Sequence, residues 1–201
     1  MNPTALVLLD YFGIAVFAIS GALVAAEKRQ DFFTFVFFAV VTGVGGGTLR
    51  DLLIGAPVFW VRTNGTLLIC IAAAALVWFV SRRRFAGKAL LWFDAAGMAA
   101  YAAYGAAKAL GYGVAPVPAF AMGVLTACVG GIIRDVLAGE PSVLMRRDLY
   151  VTPAALSAGL FVALTLLGLA IWPAAGIAII AGFGLRAGAI LRGWSLPAYR
   201  D

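Results

Sequence analysis

The chain has 201 residues, of which 64% are hydrophobic and 12% are charged, and its formal net charge is +6 at pH 7. Soluble domains contain about 25% charged residues, so a chain this apolar must expose part of its surface to lipid. The sequence contains no histidine and two cysteines, Cys70 and Cys128, without CxxC spacing. These absences remove the commonest general base, the commonest metal ligand and a disulfide framework, and they argue against an enzyme or a cofactor-dependent protein.

Seven apolar stretches approach the length of about 20 residues that a helix needs to cross a bilayer. We therefore predict an all-α integral membrane protein with seven transmembrane helices in a single domain, residues 1–201. The predicted spans are Ala5–Ala26, Phe32–Ile54, Thr66–Val80, Leu90–Leu110, Ala115–Ala138, Tyr150–Leu169 and Ala174–Arg192. The short connections leave no room for a second domain.

Basic residues predict the orientation of these spans. Ten fall in one set of alternate connections and in the C-terminal tail, whereas Arg62 and Lys108 lie near helix ends on the other side. The ten are Lys28, Arg29, Arg82, Arg83, Arg84, Lys88, Arg146, Arg147, Arg192 and Arg200. Because connections rich in Lys and Arg stay in the cytoplasm, the N-terminus is expected outside and the C-terminus inside. Charges spaced in this way favour contact with membrane lipid, and they argue against a nucleic-acid partner.

The sequence repeats itself at an offset of 84 residues, the separation of Arg50-Asp51 from Arg134-Asp135. Between positions 10 and 62, 17 of 53 residues are identical at this offset without a gap, which is far above chance. Each copy holds three spans, and an odd number predicts that the second copy inserts the opposite way, as an inverted repeat. We assign repeat 1 to about residues 5–83, repeat 2 to about 89–169 and an extra helix to about 174–192.

Both copies place glycines inside a span. The second span contains Gly45, Gly46 and Gly47, and the fifth contains Gly130 and Gly131. Glycine costs about 1 kcal/mol relative to alanine in a helix, so these positions are expected to kink or unwind the helices. Loose backbone inside a membrane is tolerated where it borders protein or a wet path, so we predict that these glycines border a pore. Close helix packing through small residues is the alternative.

Charged residues also occur within the spans or at their ends. They are Asp10, Arg50, Asp51, Asp94, Arg134, Asp135 and Arg186. Each would cost several kcal/mol facing lipid, so they should face one another or a wet cavity. We predict a cluster of Asp10 with Arg50 near the outer side and a cluster of Asp94 with Arg134 near the cytoplasmic side.

Local spacing adds expectations for the individual charged residues. Adjacent residues on a helix do not face each other, so Arg50 and Arg134 are expected to pair between helices rather than with the aspartate that follows each of them. Asp51 and Asp135 also suit capping or bracing. Lys108 is expected to extend to the membrane surface, and Arg186 to reach the cytoplasmic surface or a partner such as Asp94.

Two segments, GVGGGTLRDLLIGAPVFWVR and CVGGIIRDVLAGEPSVLMRRD, share a GG-x-x-RD-x-x-x-G-x-P motif. In a basic chain of seven spans, they resemble the bacterial branch of the trimeric intracellular cation channel family, also called the UPF0126 or glycine-transporter domain family. The resemblance covers nearly the whole chain. It implies a homotrimer in the bacterial inner membrane, with a pore for K⁺ or Na⁺ through each subunit, no cofactor, and kinked second and fifth helices beside the pore. The second copy departs from the first at Ala127 and Val129, which replace Gly43 and Gly45.

Two functions remain open at this point. The leading hypothesis is a monovalent cation channel, in which Asp10 and Asp94 attract cations to the two mouths while Arg50 and Arg134 pair with them. The alternative is a secondary transporter of a small zwitterion such as glycine, because inverted repeats also support alternating access.

Overall fold

The computed structural model of the chain describes residues 3–80, 88–145 and 149–195. These residues form seven α-helices: α1 (Pro3–Glu27), α2 (Phe32–Leu53), α3 (Asn64–Val80), α4 (Lys88–Gly111), α5 (Pro116–Leu137), α6 (Val151–Leu166) and α7 (Ile171–Arg192). Short 3-10 turns follow α2 at Phe59–Arg62 and α5 at Val143–Met145. The predicted seven-helix all-α fold is confirmed, and each helix begins and ends within a few residues of its expected bounds.

Local chemistry sets the helix ends. Asp31 caps α2, because its carboxylate accepts a hydrogen bond of 2.9 Å from the backbone N–H of Thr34, which also lowers the pKa of Asp31. Gly168 adopts a φ of +85° just after α6, so this helix stops short of the predicted Leu169. Pro173 lies in the first turn of α7, where its missing N–H is harmless, so α7 begins earlier than predicted.

The helices differ in how well they match a bilayer by length and composition alone. Residues 10–27 of α1 and the whole of α2, α5 and α7 are long and apolar enough to span it. Helices α3 and α6 are apolar but shorter, with 17 and 16 residues. Helix α4 has 24 residues but includes Asp94 and Lys108, so it needs neighbours that shield these charges from lipid.

Several basic residues used to predict the orientation lie outside the described residues. They are Arg82, Arg83, Arg84, Arg146, Arg147 and Arg200, together with the side chain of Lys88. The direction in which the chain crosses the membrane therefore stays a prediction.

Reciprocal contacts relate the two three-helix copies. A Cβ added to Gly46 of α2 would overlap the carbonyl oxygen of Thr126 on α5. A Cβ added to Gly130 of α5 would likewise overlap the carbonyl oxygen of Thr42 on α2. Gly46 and Gly130 are equivalent in the two copies, and so are Thr42 and Thr126. Each glycine therefore contacts the threonine of the other copy, so the two contacts are the same contact with the helices exchanged. Such exchange is the property of a twofold axis, so the copies form inverted repeats around a pseudo-twofold axis.

Helices α1 and α4 show the same exchange. Gly13 of α1 lies against the ring of Tyr101, and Gly97 of α4 lies against the ring of Phe17. Phe17 and Tyr101 occupy equivalent positions in the two copies, and their ring centroids are 5.5 Å apart. The pseudo-twofold axis therefore passes between these two rings.

The glycines of α2 and α5 do not interrupt these helices. Both helices are continuous, so the predicted unwinding at Gly45, Gly46, Gly47, Gly130 and Gly131 is wrong. Freed backbone groups would find no water in the bilayer, and that cost exceeds the weak helix propensity of glycine. Gly45, Gly46 and Gly130 instead let α2 and α5 approach closely, which is the alternative interpretation, whereas Gly47 and Gly131 lie against the side chains of Phe59 and Tyr150. A bend in the continuous helices stays a prediction.

We expect Gly46→Ala to lower the thermal stability of the protein in detergent, because the new methyl group would displace the Thr126 carbonyl. Overpacking of this kind typically costs about 1–3 kcal/mol. Gly176→Ala on α7 is the matched control, because a Cβ there has no neighbour within 4 Å. Equal unfolding temperatures for the two variants, followed by circular dichroism, would contradict the close approach of α2 and α5.

Candidate functional site: two buried charge clusters

The Arg134 cluster joins helices α1, α4 and α5 and consists of Arg134, Asp135, Asp94 and Ser20. Arg134 donates from Nε to Asp135 Oδ1 at 2.9 Å and from Nη1 to Asp94 Oδ1 at 2.7 Å. Its Nη1 also contacts the hydroxyl of Ser20. All four residues are buried. Two carboxylates therefore surround this guanidinium, and the structure brings Asp94 and Arg134 together as expected.

The Arg50 cluster joins helices α1, α2 and α4. It consists of Arg50, Asp51, Lys108, Tyr104, Tyr101 and Asp10. Arg50 is 0% exposed and donates from Nε to Asp51 Oδ1 at 2.9 Å, while Lys108 Nζ lies 2.8 Å from the same oxygen. The guanidinium carbon lies 5.2 Å from the ring centroid of Tyr104, which occupies the position equivalent to Ser20. Arg50 Nη1 has no hydrogen-bond partner in the part of the chain that the structure describes.

Asp10 does not repeat the arrangement of its equivalent, Asp94. Its Oδ1 accepts a hydrogen bond of 3.1 Å from the hydroxyl of Tyr101, and the described residues show no ion pair between Asp10 and Arg50. In the other copy the residue equivalent to Tyr101 is Phe17, which has no hydroxyl to donate. Asp94 instead pairs with Arg134. The two arrangements therefore differ at this hydroxyl group, at Tyr104 against Ser20 and at Lys108 against Val24.

The expectation that adjacent Arg and Asp residues do not pair is wrong in both copies. Arg50 Nη2 lies 2.8 Å from Asp51 Oδ1, and Arg134 Nη2 lies 2.9 Å from Asp135 Oδ1. Adjacent Cβ atoms do diverge on a helix, but the long arginine side chain folds back over its own helix. In a site shielded from water, the attraction between the charges outweighs the cost of that conformation.

Two further charges lie elsewhere than expected. Lys108 does not extend to the surface; its side chain is 17% exposed and pairs with Asp51. Arg186 is buried and reaches neither the surface nor Asp94. Its Nη1 donates to the carbonyl oxygen of Leu149 at 2.6 Å, and its guanidinium carbon lies 5.3 Å from the ring centroid of Tyr150. Arg186 therefore fixes α7 to the start of α6.

One face of α4 connects the two clusters. Its members are Asp94, Gly97, Tyr101, Tyr104 and Lys108, spaced alternately three and four residues apart. At about 1.5 Å per residue, Asp94 and Lys108 are about 21 Å apart along the helix. Asp94 was predicted from the sequence as a member of a cluster, whereas Lys108 and the two tyrosines were not, although their spacing identifies them. Between the clusters, the rings of Phe17 and Tyr101 are buried and close the space around the pseudo-twofold axis.

The described ranges hold no cluster of three or more His, Cys, Asp or Glu that could bind a metal ion. Cys70 and Cys128 are buried free thiols. The contacts observed at the clusters are ion pairs and hydrogen bonds.

Comparison with known proteins assigns the family. The family model described as glycine transporter matches the chain twice, over residues 7–82 and 91–166. A UPF0126 membrane protein of Vibrio cholerae is 41% identical over 167 residues, covering 80% of this chain and 68% of that protein. The UPF0126 inner membrane protein YadS of Escherichia coli is 42% identical over 147 residues, covering 72% of this chain and 71% of YadS. The chain belongs to the UPF0126 family.

Solved structures place this UPF0126 protein beside cation channels. The TRIC trimeric intracellular cation channel orthologue from Rhodobacter sphaeroides superposes with a TM-score of 0.90 and 45% identity, over 95% of this chain and 100% of that one. A prokaryotic TRIC channel crystallised in 0.5 M KCl gives a TM-score of 0.86 and 28% identity, over 96% of this chain and 99% of that one. The predicted family is confirmed. Its members are membrane proteins and channels, not enzymes, as expected.

We expect Asp94→Asn to destabilise the protein more than Asp10→Asn, although the two positions are equivalent in the repeat. Asp94→Asn removes a carboxylate from a buried ion pair and should cost up to about 3 kcal/mol. Asp10→Asn removes a carboxylate that accepts a hydrogen bond from Tyr101 and has no ion pair within the described residues, and should cost about 1 kcal/mol. Thermal unfolding of both variants in detergent measures the difference. The reverse order would mean that Asp10, not Asp94, is the paired carboxylate in solution.

Proposed function

We propose that the chain is a channel for the monovalent cations K⁺ and Na⁺, assembled as a homotrimer with one pore in each subunit. The observation that carries the proposal is the placement of two buried charge clusters at opposite ends of an inverted repeat. Charged groups inside a membrane protein are costly and typically mark an ion path. The close likeness to TRIC cation channels over almost the whole chain supports the same conclusion.

The pore would run between the clusters, along α2 and α5 and the polar face of α4. Asp10 and Asp94 would concentrate cations at the two mouths, and Arg50 and Arg134 would limit the field of these carboxylates. The Arg50 cluster holds two positive side chains against two carboxylates. A balanced site attracts cations less than a ring of unpaired carboxylates does, so we expect weak selectivity between K⁺ and Na⁺.

Opening of this path requires helix movement, since Phe17 and Tyr101 fill the space between the clusters. Where α2 and α5 meet at glycines, no side chains interlock, so the two helices can slide past each other. We place any bend of the helices at Gly45, Gly46 and Gly47 in α2 and at Gly130 and Gly131 in α5.

We also propose an orientation in the membrane. Residues with basic side chains are more numerous in the connections on the C-terminal side, so we place the C-terminus in the cytoplasm and the N-terminus outside. The Arg50 cluster would then lie near the outer mouth and the Arg134 cluster near the cytoplasmic mouth, in the inner membrane of a bacterial cell.

A secondary transporter of glycine is the second candidate. The unequal clusters favour it, because Asp94 pairs with Arg134 at one end whereas Asp10 has no ion pair within the described residues at the other, and such asymmetry suits alternating access around an inverted repeat. The description of the family model as a glycine transporter agrees with this alternative.

Current across a planar bilayer containing the purified protein separates the two candidates. Under a K⁺ gradient with Cl⁻ as the anion, we expect unitary steps that reverse near the K⁺ equilibrium potential. Both Asp10→Asn and Asp94→Asn should lower the unitary conductance, since each removes a negative charge from a mouth. Absence of steps, together with saturable glycine uptake into liposomes, would overturn the channel proposal in favour of the transporter.

We further expect Lys108→Gln to raise the cation conductance at low ionic strength. The substitution removes the ammonium group that lies 2.8 Å from Asp51, so the carboxylate regains negative charge near the mouth. The gain should fade in high salt because added ions screen the carboxylate. Lys28→Gln is the control, since Lys28 pairs with Glu140 at the other end of the helices. An equal change in both variants would argue against a role for the Arg50 cluster at the pore.

A further inference from the structure

A groove between α5 and α6 opens on the outside of the helix bundle. The start of α5 and the end of α6 line it with apolar residues only, among them Val117, Phe120, Val162 and Leu166. Its volume is about 260 Å³. None of its lining residues belongs to either charge cluster, so the groove has no part in the ion path described above.

The first repeat fills the equivalent space with its own side chains. Trp78 of α3 occupies the position equivalent to Val162, and its ring centroid lies 5.7 Å from that of Phe32 and 5.0 Å from that of Phe35. The positions equivalent to these phenylalanines hold Pro116 and Ala119 in the second repeat. Three aromatic side chains are thus replaced by three small ones. The groove is the space that this replacement leaves.

The groove opens onto the exposed apolar surface of α5 and α6. At its rim Val117 is 77% exposed and Leu166 is 63% exposed, and both belong to helices of a membrane protein. A water-soluble ligand is usually oriented by a few polar groups in its pocket, and this lining offers none. A hydrocarbon chain needs no such group, because lipid tails are as apolar as the leucine and valine side chains around them.

We propose that this groove binds one acyl chain of a membrane phospholipid, which takes the place of the aromatic side chains of the first repeat. The bound chain packs along the first turns of α5, the helix that carries Gly130 and Arg134 further along. The site stands apart from the proposed function, since it depends on packing between α5 and α6 and on contact with the bilayer.

Photo-cross-linking tests the site in the full-length protein. Vesicles are prepared with a phosphatidylglycerol that carries a diazirine in its acyl chain, and labelled peptides are located by mass spectrometry. We expect labels concentrated on the groove residues of α5 and α6. Val162→Trp should abolish this labelling by filling the groove. Ile180→Trp, at an exposed position of α7, should leave it unchanged.

Trp78→Val is the reciprocal test. It can be read even if Val162→Trp does not fold. It should open an equivalent groove in the first repeat and create new labelling on α2 and α3. Three results would overturn the proposal: labelling spread evenly over all lipid-facing helices, labelling of the α5–α6 groove that persists in Val162→Trp, or a wild-type groove that stays unlabelled because a second copy of the chain covers it.

Discussion

The close approach of α2 to α5 is the contact on which the rest of the structure depends. Helices in a bilayer gain little from the hydrophobic effect, so they associate where small residues let backbones meet. Gly46 and Gly130 each lie against a threonine carbonyl of the other helix, which sets the pseudo-twofold axis. Arg50 and Arg134 follow these glycines by one helical turn, in opposite directions. A single packing contact thereby places one buried arginine toward each side of the membrane.

The two arginines show how differently an equivalent site can be satisfied. Arg134 has two carboxylates and a hydroxyl, whereas Arg50 shares Asp51 with Lys108 and stacks on Tyr104. Removing a partner from a buried ion pair is expensive, so the Arg134 cluster resists rearrangement. Arg50 Nη1 lacks a hydrogen-bond partner among the described residues. Movement of the Arg50 side chain therefore breaks fewer hydrogen bonds than movement of the Arg134 side chain. Movement between the copies should begin at the Arg50 end.

The sequence was sufficient to predict the seven helices, the repeat and the meeting of Asp94 with Arg134, because hydropathy and the 84-residue offset are strong signals. Its prediction of unwound backbone at the glycines was wrong, because the absence of water in the bilayer preserves the helix despite the weak helix propensity of glycine. It also failed at Lys108 and at the adjacent Arg-Asp pairs. Side-chain length decides those contacts, and spacing along a helix does not encode the conformation that a long side chain adopts.

The neighbouring rings of Phe17 and Tyr101, tilted by 51° to each other, bear on how such a protein can evolve. In a dimer of identical three-helix chains, two positions related by the twofold axis must carry the same amino acid. Fusion of the two copies into one chain removes that rule, so a phenylalanine can face a tyrosine across the axis. The single oxygen atom gained by this change holds Asp10 through a hydrogen bond of 3.1 Å. Gene fusion thus allows the two faces of the membrane to acquire different chemistry while the backbone keeps its symmetry.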